Sequence, residues 1–248
     1  MTAAAAQPGG ELPPAEPDEQ DPAGAPAPVH SVGLRPPRQA RSRRSLERVL
    51  AAGAEILAQQ GYEGFTITDV ARRADASVGL IYKRFENKAA LFEAILLNEQ
   101  ARITSEENER LAAAAASSTS LAGFISDAIR AVAEITRREG RLLRVFNERS
   151  VAEPPLLEHA KAGRAAPRMF TQFLLDRRDE IRHPDPQRAA DMAFWLFNSA
   201  LDRRVNTPMW RHWDPDAEQD WPLFVDDLVY AIQCFLLSPP EVSAAARG

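Results

Sequence analysis

The feature that most constrains this chain is the punctuation between residues 45 and 97. Leu46, Val49, Leu50, Gly53, Ile56 and Leu57 recur at i, i+3, i+4, i+7, i+10 and i+11, the stripe of one helix face. Ser45 is placed to cap that helix and Gly61 to end it. Thr66-Ile67-Thr68-Asp69 reads as a capping-box-like start, with Asp in place of Glu or Gln, for a short second helix through about Arg73. Ala74-Asp75-Ala76 makes a tight turn. Ser77 then caps a third short helix through about Arg84, and Asn87 caps a fourth that carries Leu91, Phe92, Ile95 and Leu96. Two short helices joined by such a turn, behind a longer supporting helix, form a helix-turn-helix.

Charge singles out the same region. Residues 1–34 carry five acids and no base, and residues 35–88 hold eleven Arg and Lys against six Asp and Glu. The remaining residues, 89–248, hold nineteen bases and twenty-four acids. A net charge of −5 and a pI near 5.5 therefore conceal one basic block on a neutral-to-acidic body, the footprint of a polyanion-binding module. The bases are uneven in kind as well: only Lys83, Lys88 and Lys161 are lysines.

Residues 1–34, with seven prolines, eight alanines and no aromatic residue, cannot bury enough apolar surface to offset their ordering entropy and are expected to be disordered. Five arginines follow in an arm through residue 44 (Arg35, Arg38, Arg41, Arg43 and Arg44), which serves either as a linker or as a phosphate contact. The tail has no apolar core of a secretory signal and no run of 18 apolar residues exists, so a cytoplasmic protein without a membrane partner is expected. Cys234 alone excludes an internal disulfide or a thiolate cluster. His212-Trp213-Asp214-Pro215-Asp216 gathers acids and a histidine without metal-ligand spacing. With no Gly-x-Ser-x-Gly, Walker or Gly-x-Gly-x-x-Gly motif, neither an enzyme nor a bound metal or cofactor is expected.

Residues 45–97 resemble the DNA-binding domain of the TetR family of bacterial transcriptional regulators. The resemblance rests on Gly61-Tyr62-Glu63-Gly64-Phe65-Thr66-Ile67-Thr68-Asp69-Val70-Ala71, and on Val78-Gly79-Leu80-Ile81-Tyr82-Lys83-Arg84-Phe85-Glu86-Asn87-Lys88 followed by Leu91-Phe92. It covers about a fifth of the chain. Two positions depart from the family pattern: Asp75 replaces the usual turn glycine, and Leu80 replaces a frequent threonine.

The resemblance implies an all-α dimeric regulator that binds double-stranded operator DNA and a small-molecule effector, most simply a repressor released by that effector. An activator or ligand-insensitive regulator of the same fold is the alternative, and a helical protein-interaction module without DNA binding is the rival from another class. Helix geometry together with the family pattern makes Val78, Leu80, Tyr82 and Lys83 the groove-facing set, with Gly79 allowing close backbone approach. Val78 and Leu80 would meet thymine methyls, and Lys83 a guanine edge. Leu80 could equally pack in the domain core, and Tyr82 either hydrogen-bonds a phosphate, as in the family, or packs on the second helix. Thr66, Thr68 and Ser77 stand where helix N-termini meet phosphate, each as a cap, a contact or both. Arg44 and Arg84 are assigned to phosphate, and Lys88 matches the family's phosphate-contacting lysine. Ile67, Phe65, Ile81 and Phe85 are core.

The body, residues 98–240, reads as helices over 121–138, 141–151, 156–181, 186–205 and 221–237, with residues 241–248 a C-terminal tail. The last two helices carry large apolar residues on more than one face, as expected if they form the homodimer contact. An effector pocket is conceivable among Phe124, Phe146, Phe170, Phe173, Trp195 and Asn198, against the plainer reading of those rings as core.

Overall fold

Helix after helix follows from the start signals in the sequence. The structure, a computed structural model, describes residues 40–152, 166–206 and 220–239. Within them lie α1 (Ala40–Gly64), α2 (Ile67–Arg73), α3 (Val78–Tyr82), α4 (Lys88–Ser117), α5 (Leu121–Ala152), α6 (Ala166–Leu175), α7 (Pro186–Asn206) and α8 (Trp221–Leu237). A single 3-10 turn occupies Arg178–Glu180. No strand occurs among the described residues, and the all-α expectation holds. The acidic tail, Arg35, Arg38, the His212–Asp216 stretch and the C-terminal tail lie outside the described residues.

Three boundaries differ from the sequence reading. The first helix starts at Ala40, so Ser45 is inside it and is not its cap. Nothing after Pro37 breaks a helix before Gly53, and a tertiary contact at Ser42, described below, holds the extra turn. At its other end Gly61 breaks the helix as expected: its φ of 70° lies in the left-handed region that glycine alone adopts without strain. The second difference is that α5 runs unbroken through residues 139–140, where a gap was expected. Gly140 is there for packing. A Cβ on it would sit 2.5 Å from Val205 Cγ1 of α7, so its absence lets the two helices meet. Arg144 Nη2 donates to the Val205 carbonyl at 2.7 Å beside this crossing.

Third, α6 ends at Leu175 and does not run on to 181. There the chain turns to close the end of the α4–α5 hairpin. Arg177 Nη2 donates to the carbonyls of Ala115 at 2.8 Å and Ser118 at 3.2 Å, and Glu180 Oε2 accepts from the Leu121 N–H at 2.9 Å. Orphan carbonyls and an orphan amide at two helix ends are satisfied by this one segment.

Apolar side chains gather in two clusters. The first is built from α1 (Val49, Leu50, Leu57), α2 (Ile67, Val70), α3 (Ile81), Phe85 and the start of α4 (Leu91, Phe92, Ile95), and is closed by Leu142, Val145 and Phe146 of α5. The second takes Leu111 of α4, the first half of α5, Phe170 and Leu174 of α6, Phe197 and Leu201 of α7, and one face of α8. Helix α4 runs across residue 97, and α5 contributes to both clusters. An arginine–glutamate lattice ties the two: Arg102 reaches Glu99 at 2.7 Å and Glu139 at 3.0 Å, and Arg138 reaches Glu106 at 2.5 Å and Glu139 at 3.0 Å. The Arg138 hydrogen bond holds the Glu106 carboxyl below the usual carboxylate range.

The α5–α7 crossing is open to a packing test. Gly140→Ala gains about 1 kcal/mol of helix propensity, but overpacks against a β-branched side chain at a cost of about 1–3 kcal/mol. A lower urea midpoint is expected in the wild-type background, and a higher one when the same change is made alongside Val205→Ala.

Candidate nucleic-acid interface

The helix-turn-helix is assembled from local hydrogen bonds. Thr66 Oγ1 accepts from the Asp69 N–H at 3.1 Å and donates to Asp69 Oδ2 at 2.6 Å, and Asp69 also pairs with Arg72 at 2.5 Å. Asp75 takes φ 49°, the left-handed conformation its short polar side chain tolerates, and the Ala76 N–H donates to Ala71 O at 2.9 Å to close the turn. Ser77 Oγ then accepts from the Leu80 N–H at 3.2 Å, and Asn87 Oδ1 from the Ala90 N–H at 2.9 Å. Thr66 and Ser77 are thus caps; Thr68 is exposed.

Helix α3 is anchored from below by Ile81 and, just after it, Phe85, each 1% exposed. Opposite them Val78, Gly79, Tyr82 and Lys83 face outward, and Leu80 is half-buried. Tyr82 is 54% exposed, not the half-buried ring of the packing alternative. Gly79 has ordinary helical backbone and open space where a Cβ would stand. No intramolecular contact calls for glycine there.

The cations of the basic block divide by what they touch. Arg48 Nε donates to the Ala74 carbonyl at 3.2 Å, and Arg73 pairs with Glu55 at 2.6 Å, both tying α1 to the helix-turn-helix. Arg84, assigned from sequence to phosphate, donates through Nη2 to the Ser42 carbonyl at 3.0 Å and to Ser42 Oγ, turning its guanidinium toward the first turn of α1. Lys88 sets its ammonium 4.3 Å from the centre of the Tyr62 ring, and the Arg149 guanidinium of α5 lies 3.9 Å from the same ring. Arg43, Arg44 and Lys83 are exposed, and Arg44 stands on a helix and not on an extended arm. The sequence reading gave Ser42 no role and Tyr62 none beyond its place in the motif; what each does depends on partners distant in the chain.

Of the six residues considered for an effector pocket, two line a groove among the described residues and the four phenylalanines pack against other rings. Phe124 and Phe170 are fully buried with ring centres 5.8 Å apart, and Phe173 packs 5.7 Å from Phe124. Phe146 belongs to the first cluster, 5.9 Å from Phe92. It is separated from Phe124 by 22 residues of unbroken helix, about 33 Å of rise. Trp195 and Asn198 instead line an open groove of about 460 Å³ between α6 and α7, with Arg168, Thr171, Gln172, Leu175, Gln187, Asp191 and Phe194. Met192, Trp195 and Leu196 of α7 and Leu223 and Tyr230 of α8 are exposed. No helix among the described residues is long and apolar enough to cross a membrane, and none of their His, Cys, Asp and Glu residues cluster to hold a metal.

Residues 49–95 match the family model described as bacterial regulatory proteins, tetR family. No curated protein matches the chain. Among solved structures, it is similar to a putative TetR-family transcriptional regulator from Mesorhizobium loti, at 19% identity and TM-score 0.62 over 79% of this chain and 98% of that one. It is also similar to GusR of Salmonella enterica, at 18% identity and TM-score 0.56 over 80% and 98%. A third is FadR of Thermus thermophilus, a TetR-family transcriptional repressor solved with lauroyl-CoA, at 19% identity and TM-score 0.56 over 82% and 99%. The chain thus carries at residues 49–95 the helix-turn-helix domain of the tetR family of bacterial regulatory proteins, on a helical body that has the fold of solved TetR-family regulators.

Proposed function

We propose that this protein is a homodimeric, sequence-specific DNA-binding repressor whose operator affinity is lowered by a small-molecule effector. The observation that carries the reading is the outward face of α3, where Val78, Tyr82 and Lys83 are exposed around a glycine that no internal contact requires. Such a face offers two apolar or aromatic surfaces, one ammonium and a backbone that another molecule can approach closely. Those are the elements of major-groove reading, with Lys83 suited to guanine O6 or N7 and Val78 to a thymine methyl. Tyr82, Thr68 and Arg44 complete a set of phosphate partners around it.

The dimer is supported by the exposed apolar residues of α7 and α8, on a protein surface where such large side chains otherwise signal an interface. Two copies would present two α3 helices, and half-sites about 34–36 Å apart, or a multiple, would fit them. The effector reading rests on the α6–α7 groove and on the bound lauroyl-CoA in the Thermus thermophilus relative. A ligand that prefers a spacing of the two α3 helices unsuited to DNA lowers DNA affinity, and DNA lowers ligand affinity by the same factor. Capture of genomic DNA by the purified protein tests the sequence-specific, dimeric DNA binding on which the reading depends: enrichment of a palindromic site supports it, and uniform recovery overturns it.

Three further outcomes are expected. Lys83→Ala should relax selectivity at one symmetric base position per half-site by about 1–3 kcal/mol, measured by selection from a random-oligonucleotide pool; an unchanged motif would place Lys83 on phosphate. Gly79→Ala should leave thermal stability unchanged or raised, since an alanine is the better helix former, while weakening operator binding in an anisotropy titration. Leu196→Glu with Leu223→Glu should convert the dimer to monomer in sedimentation velocity and cut operator affinity with it.

A further inference from the structure

The first turn of α1 is an electrostatically awkward helix start. Arg43 stands in it, Arg44 follows directly, and the turn has no acidic residue, so cations sit where the helix dipole is already positive. Arg84 adds another guanidinium, yet it approaches through oxygen acceptors: its Nη2 donates to the Ser42 carbonyl at 3.0 Å and to Ser42 Oγ. Ser42 adjoins Arg43, and Arg84 adjoins Lys83. One contact between residues 42 positions apart therefore brings the start of α1 beside the end of α3, with Arg43 and Lys83 flanking the junction. No acidic residue stands within the turn, and a polyanion laid along the junction would meet these cations favourably.

We propose that Arg84 is a positioning residue, which clamps the first turn of α1 to the end of α3 and so sets Arg43 and Arg44 on the DNA backbone as a second contact edge beside the base-reading face. This rests on the DNA-binding reading above and reassigns Arg84 from phosphate ligand to clamp. Arg43 and Arg44 then act only as well as Arg84 holds them. Tyr82 at the end of α3 and Lys83, its C-cap, do not depend on the clamp.

The test uses the full chain and a 30-base-pair duplex of arbitrary sequence, with affinity followed by anisotropy across a potassium chloride series. Removing one ionic phosphate partner should reduce the magnitude of the log–log salt slope by about 0.9. Arg84→Gln is expected to lower the slope as much as Arg43→Ala with Arg44→Ala does, and to lower it no further when added to that pair. Hydrogen exchange of the backbone amides of residues 44–48 should accelerate in Arg84→Gln without DNA. Ser42→Ala, which removes one of the two acceptors and leaves α3 untouched, should shift both readouts in the same direction and by less. An equal fall in slope from Arg84→Gln in both backgrounds would show Arg84 itself on a phosphate and overturn the proposal. So would an unchanged slope in Arg84→Gln when Arg43→Ala with Arg44→Ala lowers it. Absence of salt-dependent binding by the wild type would instead sink the DNA reading, and the proposal with it.

Discussion

A helix of five residues does not persist in water by itself, because isolated helices below about 12–15 residues are marginal. Yet α3 is that short, and the outward face of the protein depends on its orientation. What holds it is the burial of Ile81 and Phe85 beneath it, with the Ser77 cap fixing where it begins. Deleting a buried Phe side chain costs about 3–5 kcal/mol, so the two side chains that point inward determine where Val78, Tyr82 and Lys83 point outward. The caps of α2 and α4 serve the same end: Thr66 and Asn87 define the starts of the neighbours on which α3 rests.

Those caps were legible because capping is local. A hydroxyl or amide reaches an N–H three residues on, and Asp75 needed only its own backbone preference. The apolar stripes of α1 and α4 were legible for the same reason, since a helix buries one periodic face. The destination of the cations was not legible. Arg48 meets a carbonyl 26 residues away and Arg84 one 42 residues away, and Tyr62 gathers Lys88 of α4 and Arg149 of α5 against one ring. Counting Arg and Lys located the basic block correctly but could not separate those engaged within the domain from those facing outward.

The aromatic residues of the body taught the opposite lesson. Rings at helical spacing fit a pocket or, more plainly, a core, and their positions along the chain do not decide which. In the molecule Phe124 and Phe170 fill one core, Phe146 fills another, and Trp195 borders open space. Periodicity reports that a face is apolar without saying which partner covers it. The same ambiguity attended residues 139–140, left between two expected helices, where Gly140 marks a crossing with Val205.

Helix α5 has 32 residues, about 48 Å end to end, and its two halves belong to different hydrophobic clusters. Melting the helix as a whole removes a wall from both clusters. The protein is therefore expected to lose its order in a single cooperative step, with no autonomous unit at its amino-terminal side. A fragment ending at residue 97 would leave the Phe92 ring without Phe146 and its neighbours. Cooperativity of this kind also means that heat or denaturant felt in the body weakens the helix-turn-helix at the same moment, so the fold has one melting point to lose and no partial refuge.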